Sequence, residues 1–322
     1  MFSLPAMKAA RISGRILAPP PAPYSFDPCP LILAACYYVS MRALNQPVSW
    51  WGWHWEPPVP MSIIELIKAG NLDARLSAML WIAMERGASL IVAADPPSSG
   101  KTTTLTALLS FTPPETAVYF TRGMGETFAL PPRSDSYPTY ILINEMSDHI
   151  PVYTWDENAR RAFELLSTGY SLATTMHDET VEGVVRQLRE DLSVPAAQIA
   201  NVTFIMPLYL GRLSSPSAAA RTSFMRRIQE DAMLDLDGED LSVNRIATWD
   251  GKSDSFDVLP KSEHREAFAT WAGISVDELN AELEKREAFL STLVSTGVTA
   301  IPEVNAAIES FYDEAIRPRP QV

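Results

Sequence analysis

The sequence predicts an α/β fold: a mostly parallel sheet covered on both faces, followed by a small antiparallel appendage and C-terminal helices. Three observations predict it. Apolar runs of strand length (Leu90–Ala94, Ala117–Thr121, Thr139–Glu145, Ser171–Thr175 and Val202–Leu210) alternate with segments of helical period, the pattern of parallel strands joined by crossover helices. Phe224–Leu236 and Leu241–Trp249 then flank Asp237-Gly238-Glu239-Asp240, a hairpin signal. From Ser262 the apolar spacing is helical.

Composition narrows the class. A chain of 322 residues with 47% hydrophobic and 20% charged residues has the make-up of a soluble globular protein, large enough for one big domain with appendages or for two. Its 26 basic against 39 acidic side chains give a net charge of −13, which disfavours a nucleic-acid backbone as partner. Cys29 and Cys36 fit no metal-ligand spacing and suit a reducing cytoplasm. The run Leu31–Val39 is far shorter than the roughly 20 residues that span a bilayer.

Residues 1–60 read as an N-terminal arm. It is basic at Lys8, Arg11 and Arg15, then proline-dense through Pro19-Pro20-Pro21 and Pro23, which disfavours regular structure. Leu31–Leu44 is long enough for one short helix. Trp50, Trp51, Trp53 and Trp55 form either an aromatic surface for a partner or an adenine ring, or rings that fasten this segment to the main domain.

Residues 61–260 form the core and its hairpin appendage. Ile63, Ile64, Leu66 and Ile67 share one helix face up to the break at Gly70-Asn71. Leu72, Leu76, Met79, Leu80, Ile82 and Ala83 define a second helix stopped by Gly87. The strand Leu90–Ala94 then enters the loop Asp95-Pro96-Pro97-Ser98-Ser99-Gly100-Lys101-Thr102 and leaves as the helix Thr103–Leu109. Strand, tight loop and helix in that order make a phosphate cradle. Loop and helix N–H groups point at the anion, Lys101 adds positive charge and the Thr102 hydroxyl suits Mg²⁺. The pattern G-x-x-x-x-G-K-[ST] departs at its first position, where Asp95 stands, and Pro96 and Pro97 remove two N–H donors.

Downstream, the strand Thr139–Glu145 ends in a carboxylate. Parallel-strand C-termini share the edge on which the phosphate loop lies, so Glu145 is expected to face the nucleotide, holding Mg²⁺ or orienting the attacking water. The strand Ser171–Thr175 runs into His177, placed to sense a γ-phosphate. Helices are expected over Asp156–Ser167, Glu179–Asp191 and Pro195–Asn201, and a flexible break over Gly211–Thr222. Residues 261–322 form a helical segment: Ser262–Ala272, a helix opened by the capping box Ser275 and Glu278, and a third from about Pro302 to Ile316. This end is either domain core or a partner surface.

Taken in order, these pieces resemble the type II/type IV secretion ATPases, the hexameric motors of secretion and pilus assembly. Ser99-Gly100-Lys101-Thr102-Thr103-Thr104-Leu105 is similar to their phosphate loop, and Ile141–Asp148 to their Walker B strand, with Asn144 for the family's glycine and Ser147 for its arginine. Thr168–His177 looks like the histidine box, Arg122–Glu126 sits where the acidic box belongs, and Arg226-Arg227 where a basic pair opens a strand. The resemblance implies a RecA-like P-loop NTPase core with ATP and Mg²⁺ as cofactors. Ser98, Ser99, Gly100, Lys101, Thr102 and Thr103 would bind nucleotide, and Thr102 and Glu145 the metal. Lys101, Glu145 and His177 would carry catalysis, with Arg122 or Arg133, on loops of the same edge, as interface arginines. It further implies a hexamer acting in the cytoplasm, peripherally at the inner face of the cell membrane, on a membrane-embedded platform protein. The alternative, motivated by Asp95 and the two prolines, is a nucleotide-binding regulatory subunit with little hydrolysis.

Overall fold

The computed structural model describes residues 42–45, 60–130, 132–134, 136–211, 224–238 and 240–316. The proline-rich stretch, the tryptophan cluster and most of the Gly211–Thr222 break lie outside them.

Strands β1 (Arg42–Asn45), β2 (Leu90–Ala93), β3 (Ala117–Phe120), β4 (Thr139–Met146), β5 (Ser171–Met176) and β6 (Phe204–Gly211) form the parallel part of one sheet, in the order β1-β3-β4-β5-β2-β6. Beyond β6 the same sheet continues antiparallel through β8 (Glu230–Asp237), β9 (Asp240–Asp250) and β10 (Ser255–Val258), while β7 (Met225–Ile228) pairs with β6 off this path. The mixed α/β architecture matches the sequence expectation, and the antiparallel strands are joined edge to edge with the core. Two details differ. The end of the helix expected over Leu31–Leu44 is strand β1, which pairs in parallel with β3. The outer backbone groups of β3 outweigh a weak local helical preference, as tertiary pairing often does. The single strand expected over Phe224–Leu236 is divided at Gln229, whose N–H donates to the Pro207 carbonyl.

Helices cover both faces. On one lie α1 (Ile63–Ala69), α2 (Ala74–Glu85), α3 (Lys101–Leu109) and the C-terminal helices α7 (Ser262–Ala272), α8 (Val276–Thr296) and α9 (Ile301–Ile316). Opposite are α4 (Asp156–Leu166), α5 (Val181–Arg186, continued by a π-turn through Asp191) and α6 (Ala196–Ile199). Because strand side chains alternate, Leu90 and Val92 enter the first layer while Ile91 and Ala93 enter the second. Capping boxes at Ser62/Glu65 and Ser275/Glu278 start α1 and α8, each satisfying two otherwise orphan donors.

Arg227 on β7 ties three elements together. Its guanidinium donates to both Asp254 oxygens (2.7 and 2.8 Å) and to the Ala69 carbonyl at the end of α1 (3.1 Å). An added Cβ at Gly70, whose φ is +77°, would lie 2.9 Å from this group. The left-handed cap and the close approach both call for glycine.

Asp231 on β8 is fully buried, and neither carboxylate oxygen has a hydrogen-bond partner among the described residues. Burial, helped by the neighbouring Glu230 charge, raises its pKa well above the ordinary carboxylate value. A raised folded pKa means that the native state holds this proton more tightly, so its contribution to stability falls as pH rises above about 4. Asp231→Val therefore stabilises the protein more at pH 8 than at pH 5, by a few degrees in Tm. Melting curves of variant and parent at both pH values check this, and an equal shift at each contradicts it.

Candidate active site

The site follows from topology. β2 lies between β5 and β6; the chain leaves β2 along one face through α3, and leaves β5 along the other through α5. Adjacent parallel strands whose connections diverge in this way open a crevice beyond their C-terminal ends. The loop 95–102, expected to hold phosphate, lies at that edge together with Glu145 and His177.

The loop is shaped by left-handed backbone at Ser98 (φ +57°) and Gly100 (φ +98°), conformations that help gather successive N–H groups into an anion-binding concavity. Gly100 is the N-cap of α3 and, lacking a side chain, supplies no acceptor to the first N–H groups of the helix. Ser99 is buried and its hydroxyl has no partner among the described residues. Lys101 is buried too, and its ammonium donates to the Ala94 carbonyl at 2.9 Å. Burial lowers its pKa, against the opposing pull of the Glu145 and Asp95 carboxylates. Thr102 and Thr103 are half-buried on the first turn, and Ser98 is exposed.

Glu145, near the end of β4, is buried, and its Oε1 accepts from His177 Nε2 at 2.9 Å and from the Ser147 hydroxyl at 3.2 Å. Burial pushes its pKa up. The His177 bond and charge, the Lys101 charge and the Ser147 bond outweigh that and hold it below the ordinary value. His177 is shifted upward, chiefly by its bond to Glu145, against burial and the Lys101 charge. The other ring nitrogen, Nδ1, lies 3.1 Å from the Asp95 carbonyl oxygen. So Asp95, which stands where the loop pattern has glycine, buttresses the histidine through its main chain while its side chain is exposed. An open cavity of about 460 Å³ adjoins these groups, lined by Asp95, Asp148, His149, Trp155, His177 and Asp191 among others.

Of the loop residues, Arg133 lies on a different edge from the one expected, and Glu126 is bound into its own turn. Arg133 lies over Gly169, where an added Cβ would come within 3.0 Å of its guanidinium. Gly169 precedes β5, so Arg133 belongs to the edge opposite the phosphate loop, because residues 132–134 have already returned toward the start of β4. Glu126 accepts from the Tyr119 hydroxyl at 2.7 Å and from the Arg122 N–H at 2.8 Å, which makes it an organiser of its own turn. Arg122, following β3, stays on the phosphate-loop edge.

Sequence reasoning named Arg226 only as half of a basic pair opening a strand and gave it no place at the site. From β7 its Nε and Nη2 donate to the Ser98 carbonyl at 3.3 and 2.9 Å, and its Cδ would lie 3.1 Å from a Cβ at Gly100. The basic pair Arg226-Arg227 was the available signal, and the structure divides it. Arg226 reaches the phosphate loop and Arg227 holds the scaffold. His149 was missed as well, although it stands four residues after Glu145, and its Nδ1 is 3.9 Å from Glu145 Oε1.

No protein-family model matches the chain. The chain is similar to two uncharacterized proteins of Methanocaldococcus jannaschii. MJ1287 is 25% identical over 264 residues, covering 72% of this chain and 91% of that protein. MJ0900 is 24% identical over 297 residues, covering 81% of this chain and 51% of that one, so the chain spans about half its length. Among solved structures, the Legionella pneumophila ATPase DotB aligns with 71% of this chain and 58% of its own, at 14% identity and a TM-score of 0.33.

Proposed function

We propose that the chain binds ATP with Mg²⁺ on this edge and hydrolyses it, as a subunit of a secretion or type IV pilus-like machine. One observation carries the nucleotide reading: a loop ending in Gly100-Lys101-Thr102, a helix N-terminus whose cap residue is a glycine, a buried carboxylate and a histidine all meet where the sheet opens its crevice. The residues fit a magnesium-bound triphosphate. Thr102 and Glu145 offer the oxygen donors that Mg²⁺ prefers, and the Ser99 hydroxyl is buried with no partner among the described residues. When bound, the ion would neutralise charge on the phosphate oxygens. Lys101 and the loop N–H groups hold phosphate, Glu145 orients the attacking water, and His177 links Glu145 to the loop through the Asp95 carbonyl. The ring assembly, the platform protein and the cytoplasmic face of a membrane enter through the sequence resemblance; among the described residues no helix is long and apolar enough to cross a membrane. The bond between Lys101 and the Ala94 carbonyl favours a second reading, a nucleotide-binding regulatory subunit with little turnover.

Mg·ATP is expected to raise the melting temperature. Glu145→Gln should keep that shift while losing about 10²–10⁴-fold in turnover. Binding without turnover in the parent protein selects the regulatory reading. An unmoved melting temperature at millimolar Mg·ATP overturns both.

A further inference from the structure

We propose that Glu145, His149 and His177 form a binding site for a divalent transition-metal ion of the zinc or cobalt class, a site that needs no nucleotide. One ligand atom from each of the three lies within 4.8 Å of the others. Glu145 Oε1 is 2.9 Å from His177 Nε2 and 3.9 Å from His149 Nδ1. Two donors bound to one tetrahedral ion at about 2.1 Å lie roughly 3.4 Å apart, and the two spans bracket that value. Small side-chain movements would bring all three into range.

Two of the donors are held in place. Glu145 is 8% exposed and sits near the end of a central strand. His177 is fixed at both ends: Nδ1 lies against the Asp95 carbonyl, and its own carbonyl accepts from Gln187 Nε2 at 2.7 Å. A carbonyl partner on one ring nitrogen is the usual device that keeps the other nitrogen available to a metal. The third donor, His149, is exposed on the loop after β4 and packs edge-on against the His177 ring at 5.2 Å. It is the adjustable ligand.

The open side of the triad faces the 460 Å³ cavity, whose wall carries Asp95, Asp148 and Asp191. These acids favour entry of a cation, and the space accommodates the water that completes coordination. Donor chemistry selects the metal. Two imidazoles with one carboxylate suit zinc, cobalt, nickel or iron, whereas Mg²⁺ and Ca²⁺ prefer oxygen alone. Glu145 also serves the proposed nucleotide reaction, so an ion of this class would compete with turnover.

Cobalt(II) reports on the site directly. Titrated into the full chain without nucleotide, Co²⁺ should give visible d–d absorption at one ion per chain and quench fluorescence from Trp155 in the cavity wall. Zn²⁺ should displace it and raise the melting temperature. His149→Ala, at an exposed position that does not threaten folding, should weaken Co²⁺ binding at least tenfold and leave the Mg·ATP-induced melting shift intact. His177→Ala should weaken Co²⁺ binding at least as much. Absence of the absorption band in the parent, or equal Co²⁺ affinity in parent and both variants, overturns the metal site. Co²⁺ binding that depends on His149 in a protein that ignores Mg·ATP keeps the metal site and removes the nucleotide reading.

Discussion

Lys101→Ala is expected to weaken Mg·ATP binding about a hundredfold and to abolish turnover, and calorimetric titration beside a turnover assay checks both. Lys101 is the cation at the centre of the proposed phosphate loop. It is buried, opens α3, and lies close enough to Glu145 and Asp95 for their charges to oppose the effect of its burial. A hydrogen bond to a charged partner contributes about 1.5–3 kcal/mol, and the long-range attraction of the ammonium for a triphosphate adds to that in a partly dry crevice. About 3 kcal/mol in total corresponds to the hundredfold loss.

The fold should survive this change. Removing the side chain leaves the Ala94 carbonyl without its partner, which costs about 1–3 kcal/mol. It also removes the cost of burying an ammonium, which offsets part of that loss. Lys101→Met, which keeps the aliphatic stem, isolates the charge: it should bind Mg·ATP as poorly as the alanine variant while melting closer to the parent. Unchanged nucleotide affinity in both variants would mean that the loop does not hold phosphate.

Most of the parallel sheet was legible because its signals are local. A short apolar run between turn residues reads as a buried strand wherever it ends up, and Glu145 and His177 were assigned to one edge from strand direction alone. The Glu145–His177 bond at 2.9 Å is the consequence of that shared edge. What escaped were contacts made across the chain. Arg226 reaches Ser98 across 128 positions, and no local pattern reports such a contact. Arg133 was assigned to the wrong edge because a loop with little periodicity carries no sign of how far it has turned back. Asp231 reads as an ordinary polar residue of a hairpin strand until the sheet buries it between β6 and β9. The tail end of the arm failed in another way: Arg42–Asn45 takes its structure from the open edge of β3.

The helical end of the chain was read as either core or partner surface, and Trp81 decides between the two. This residue on α2 is fully buried, stacked on Phe111 at 4.9 Å and 8°, and enclosed by Phe289 and Phe311 from α8 and α9 at 5.6 and 4.6 Å. Its indole N–H donates to the Tyr312 hydroxyl at 2.9 Å, and that hydroxyl donates onward to the Phe111 carbonyl at 2.6 Å. One ring thus joins α2, the end of α3 and both C-terminal helices through packing and a short hydrogen-bond relay. Trp81→Ala is expected to cost about 3–5 kcal/mol, read as the loss of unfolding free energy in urea and as earlier proteolytic release of α8 and α9. Trp81→Phe keeps much of the packing but removes the donor to Tyr312, so its cost should fall near 1–2 kcal/mol, within the range for a polar partner left unsatisfied. Were Trp81→Ala to cost less than about 1 kcal/mol, the helices would be held elsewhere. A full loss makes them part of the body that supports the phosphate loop, since α2 runs directly into β2 and β2 into that loop.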